Sequence, residues 1–180
     1  MAYTTVLYLI MLSVFIGYVA WIWKRFGVLP SISDSYYHLP KNLQPIFTFF
    51  CWGFALPAMI IGSSGLMFFA GAGIAFVGAA AAFKEKMTST VHVVGAMMGV
   101  LLSQLAILVQ YHMWPLNIAF LAIAIPFTIT RFIKIKGKEI CPNRTWWVEI
   151  AAFLAICIAL ALNLMAIAFG TAIGNAIIGK

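Results

Sequence analysis

Apolar residues fall in six long uninterrupted runs, Val6–Trp23, Pro45–Gly62, Leu66–Phe83, Val91–Tyr111, Leu116–Ile133 and Ile150–Gly170, separated by short polar or Gly/Pro-bearing segments. Each run is close to the ~20 residues that carry a helix across a hydrocarbon core. Strands of a membrane barrel would alternate apolar and polar positions over about ten residues, and these runs do not alternate. The pattern predicts an all-α, polytopic transmembrane bundle of six helices, formed by residues 1–180 as one membrane domain.

The connections sharpen that picture. Ser63-Ser64-Gly65 and His112–Pro115 are short enough to impose tight antiparallel hairpins. The longest loop, Phe26–Gln44, holds Pro30, Pro40 and the pair Tyr36 and Tyr37, which suits an ordered segment at an interface. Pro57 and Pro126 lie inside the second and fifth runs, where each removes a backbone donor. The first run is preceded by no basic residue and followed by Lys24 and Arg25, so it reads as a retained span rather than a cleaved signal.

Composition agrees: the chain is 64% hydrophobic and 8% charged, with mean hydropathy +1.06. Soluble domains carry roughly 25% charged residues, so a cytosolic enzyme, a secreted disulfide scaffold and a disordered tail are all excluded as readings. Cys51, Cys141 and Cys157 make an odd set, two of them within apolar runs, which argues against a disulfide framework. The net charge of +7 does not imply nucleic acid, because no extramembrane module exists to bind it. The cations instead report topology. Lys24, Arg25, Lys41, Lys84, Lys86, Arg131, Lys134, Lys136, Lys138 and Arg144 follow helices one, three and five, whereas the other side holds Lys180. The positive-inside rule then places those loops in the cytoplasm of a cell-membrane protein, with both termini outside.

Three helices carry stripes of small or polar residues. His92, Gly95, Gly99, Ser103, Ala106 and Gln110 share one face of helix four. Gly71, Ala75, Gly78 and Ala82 do so on helix three, with Glu85 one step further, and Glu149, Ala152, Ala159, Asn163, Ala166 and Gly170 on helix six. Such stripes let helices approach closely, and interhelical polar pairs of the Ser103, Gln104 or Asn163 kind stabilise by about 0.6 kcal/mol each, so they require no function. His92, Glu85 and Glu149 differ. Ionisable groups near membrane depth are costly, which marks them as candidates for a shared site.

For chemistry, the candidate catalytic residues are His92, Glu85, Asp34 and Glu149, with His92 as general base or metal ligand in a lipid-modifying hydrolase or transferase. A metal centre is not expected: His92 and His112 are about 30 Å apart along one helix, leaving His38 and His92 as the pair that could meet. Ser33 or Ser35 could act as nucleophiles beside His38 or His92, yet neither sits in a strand-turn-helix elbow. A small transporter, lined by Gln104, Gln110 and Asn163, is a third reading. No cofactor is implied.

Leu29-Pro30-Ser31-Ile32-Ser33-Asp34 is similar to the signature after the first helix of the six-pass FRAG/DRAM/Sfk membrane family. Phe83-x-Glu85, Val91-His92-x-x-Gly95-Ala96 and Gln110 are similar to its third loop and fourth helix, and Glu149 to its acidic residue early in helix six. Ala82, Lys84 and Val93 stand where the family has an asparagine, a glutamine and an acid. The family places these loops on the lumenal side, opposite to the charge count here. The resemblance implies a role in lipid organisation, lipid-anchor processing or trafficking, and the short loops suggest a prokaryotic or viral version.

The favoured expectation is a non-catalytic protein that binds or organises membrane lipid. Lys84, His92, Asp34, His38 and Glu149 would surround a headgroup on the face bearing loops one, three and five, with the basic residues attracting anionic lipid. Membrane lipids are the expected partners. Self-association, for instance through Gly170-x-x-x-Gly174, or a membrane-protein partner stays open.

Overall fold

The computed structural model describes residues 2–62, 65–82, 86–130, 134–135, 138–139 and 141–178. Seven helices dominate them: α1 (Ala2–Phe26), α2 (Ser35–His38), α3 (Pro45–Ile61), α4 (Leu66–Ala82), α5 (Lys86–Leu105), α6 (Trp114–Ile129) and α7 (Arg144–Ile178). Helix α5 runs on into a π-helical turn, Ala106–Gln110, and a two-rung antiparallel pairing of Lys134–Ile135 with Lys138–Glu139 lies between α6 and α7. The fold is all-helical as expected, and this short pairing is confined to the connection between α6 and α7.

Three helices are long and apolar enough to cross a membrane: Ala2–Phe26, Thr90–Gln110 and Arg144–Gly170. Helices α3, α4 and α6 are apolar but hold 17, 17 and 16 residues. At 1.5 Å per residue they rise about 24–26 Å, below the ~30 Å of an average hydrocarbon core. The expected boundaries shift for local reasons. The last helix begins at Arg144 rather than Ile150 because one charged residue per turn does not stop a helix, although it interrupts an apolar run. Helix α6 is described to Ile129, with Thr130 Oγ1 donating to the Phe127 carbonyl at 2.6 Å, and the expected end at Ile133 lies outside the described residues. The fourth ends in the π turn, closed by Tyr111 N–H to Ala106 O at 2.9 Å, and His112 then adopts a left-handed conformation.

Met11, Phe15, Tyr18 and Ile22 recur at helical spacing along α1 and are buried against Phe47, Phe50 and Phe54 of α3 and Ala155, Ile156, Ala159 and Leu160 of α7. Aromatic rings lock this seam: Phe54 and Phe153 meet edge to face at 4.6 Å, and Tyr18 stacks on Phe50 at 4.2 Å.

Helix α4 is gripped from two sides. Its Gly71 and Gly78 face α3, where Thr48 Oγ1 donates to Gly78 O at 3.0 Å and Trp52 Nε1 to Ala75 O at 3.1 Å. Gly73 faces α5 so closely that a Cβ there would stand 2.7 Å from both Gly95 O and Gly99 N. The small-residue stripes of helices three and four are therefore packing surfaces. On α7 the stripe is buried only as far as Ala159; Asn163 is partly buried, and Ala166 and Gly170 are exposed because the helix outruns its neighbours.

Candidate functional site: a carboxylate-capped cavity beneath loop one

Helix α1 stops at Gly27, whose φ of 75° closes the last turn through its N–H to Trp23 O at 2.9 Å and sends the chain back across the bundle. Residues 28–39 then form a strap held at three points. Pro30 O accepts the Trp146 N–H at 3.0 Å, satisfying one of the donors that the first turn of α7 leaves unpaired. The Ile32 N–H donates to Glu149 Oε2 at 2.5 Å. Tyr18 of α1 donates to Ser35 Oγ at 2.6 Å, and that hydroxyl in turn donates to Ile32 O at 2.5 Å. Leu29, Ile32 and Leu39 are consequently buried although they lie outside the helices, as is Ser35 at the start of α2. Ser31 supports the local turn by accepting the Asp34 N–H at 3.0 Å.

Below the strap is a cavity of about 80 Å³. Ile32 and Ser33 roof it; Phe47, Phe50 and Cys51 of α3, Val77 of α4, Ala96 and Gly99 of α5, and Ala152, Phe153 and Ile156 of α7 wall it. Glu149 sits at its rim, half-buried. Ile32 engages Oε2 of this side chain, which is the one carboxylate among the lining residues. The site thus joins an acidic polar end to an aromatic and aliphatic body.

The expected residues are distributed around it unevenly. Asp34 is partly buried next to the roof and interacts electrostatically with both Glu149 and His92. His92 stands one helical turn before Ala96, partly buried, with its ring against the Val77 carbonyl. His38 turns outward: it is exposed, its Nδ1 bonds the Asp34 carbonyl at 2.9 Å, and its ring lies 6.0 Å from that of Phe26. Lys84 and Glu85 lie outside the described residues. Among the described residues no three His, Cys, Asp or Glu side chains come together as a metal would require. The hydroxyl of Ser35 is committed to Tyr18 and Ile32, and that of Ser33 to Ser31 at 3.0 Å. Neither serine is placed beside a histidine base by these contacts.

Sequence reasoning missed the partners that build the site: the Ile32 amide, Ser35, Tyr18, Phe50 and Phe153. Tyr18 alone carried a signal, since a tyrosine on the buried face of an apolar helix needs a partner for its hydroxyl. The others are reached only through contacts distant in sequence.

The chain matches no family model, no curated protein and no solved structure.

Proposed function

We propose that this protein is a six-span membrane bundle that binds membrane lipid in the cavity beneath loop one, with Glu149 at the polar end and Phe47, Phe50 and Phe153 around the apolar part. The carrying observation is the pairing of a single carboxylate with an otherwise apolar enclosure under a hydrogen-bonded strap. An ionisable group at membrane depth is costly to keep, and a ligand that uses it is its simplest justification.

Six spans are supported by the exterior as well as by the sequence. The shorter helices also present large apolar side chains outward, Leu56 and Ile60 on α3, Phe69 and Phe76 on α4, Leu121 and Ile125 on α6. Large apolar side chains exposed in that number suit hydrocarbon rather than water. Local thinning of the bilayer accommodates the shorter helices at a cost of fractions of a kcal/mol per Å. The basic loops set a cytoplasmic side for the strap, and the likeness to the FRAG/DRAM/Sfk family favours lipid organisation over a housekeeping fold.

The test is lipid retention. Protein purified in mild detergent is expected to carry bound lipid in native mass spectra, and Ala152→Phe, which fills the cavity wall, is expected to strip it while leaving the helical circular dichroism unchanged. Equal retention by the filled variant would show that lipid sits elsewhere.

A further inference from the structure

Resting on that lipid-binding reading, we infer that the cavity selects an amphiphile whose head is a protonated amine, held between the Glu149 carboxylate and the rings of Phe47, Phe50 and Phe153. Three features of the enclosure converge on this chemistry. The ionisable side chain at its rim is an acid, and a second acid, Asp34, interacts with it electrostatically. Among the described residues no lysine or arginine lines the space, so a phosphate placed there would meet a carboxylate without a counter-charge. Three phenylalanines, Phe47, Phe50 and Phe153, line the space, and aromatic rings attract a cation over their faces.

Size points the same way. One water needs roughly 10–15 Å³ of such volume, so about 80 Å³ admits a group of a few heavy atoms, an aminoethyl head rather than a whole glycerophosphate. Apolar surface for the chain of such a molecule adjoins the site through Phe50. Phe50 also lines an open groove on the outer surface between α1 and α3, bordered by Ser13, Gly17, Trp21 and Phe49. Gly17 meets no atom within 4 Å of where a Cβ would stand. Phe50 thus borders both the head site and this groove, and a tail that displaced its ring would lie along α1 and α3.

Thermal unfolding of the full chain in detergent, titrated with dodecylamine, dodecanol and dodecyl phosphate, separates the possibilities because the three share one tail. Dodecylamine is expected to raise Tm at a concentration roughly tenfold or more below that of dodecanol, the worth of one charge-assisted hydrogen bond, with dodecyl phosphate weakest. Glu149→Gln is expected to abolish the preference for the amine over the alcohol. If dodecyl phosphate or dodecanol matches the amine, or if Glu149→Gln keeps the preference, the amine assignment is wrong while lipid binding stands. If none of the three shifts Tm and purified protein carries no lipid, the binding reading fails with it. Should Glu149→Gln not fold, Asp34→Asn takes its place: a reduced amine preference supports the assignment and an unchanged one overturns it.

Discussion

Replacing Glu149 by leucine isolates what the strap owes to one side chain. The substitution keeps the bulk beside Ala152 and Phe153 but leaves the Ile32 N–H without its acceptor in a buried position. An unsatisfied buried donor costs about 1–3 kcal/mol, and more where the lost partner is charged. Every 1.4 kcal/mol is a factor of ten, so opening of the strap is expected to become about 5- to 150-fold more frequent. Amide hydrogen exchange by mass spectrometry reads that directly. Peptides covering residues 28–39 should exchange faster by this factor in Glu149→Leu, with Ser35 following Ile32 because its amide and hydroxyl both bond Ile32 O. Glu149→Gln retains an acceptor and should recover most of the protection. Peptides from α4 and α5 serve as the internal reference, since their contact runs through Gly73, Gly95 and Gly99. Unchanged exchange in the strap, or a uniform rise across the whole chain, would refute the claim that Glu149 anchors this loop specifically.

Other substitutions probe separate links. Gly73→Ala forces a Cβ to within 2.7 Å of two backbone atoms of α5, so α4 and α5 must separate; overpacking of this kind costs about 1–3 kcal/mol and should lower Tm. Gly17→Ala enters open space and should leave Tm level or raise it through the ~1 kcal/mol helix preference of alanine, so equal responses of the two variants would contradict the packing argument. Tyr18→Phe removes the donor to Ser35 but not the Ser35 bond to Ile32, and is expected to loosen the strap less than Glu149→Leu, by about 1 kcal/mol in the same exchange assay. A membrane-impermeant maleimide should label Cys141 only after cells are permeabilised, while Cys51 and Cys157 stay unlabelled because they are buried; labelling of intact cells would reverse the proposed orientation.

The helices themselves were legible without a structure because long apolar runs that do not alternate, such as Val6–Trp23 or Val91–Tyr111, fit a helix and not a half-buried strand. The same one-dimensional reasoning identified the gripping surfaces, since Gly95 and Gly99 share a face whatever they pack against. It also drew attention to Glu149, an acid early in an otherwise apolar helix. Its limits lay where charge interrupts a run, as at Arg144, and where a loop does the work of a core. Nothing local says that Ile32 meets Glu149, residues separated by 117 positions, or that Ser35 meets Tyr18. Those pairings depend on how far α1 and α7 stand apart and on the turn at Gly27, quantities set by side-chain packing in three dimensions. The cavity is of the same kind: its walls come from a loop and four helices, each pattern ordinary alone, and only their convergence leaves a space with a carboxylate at its rim.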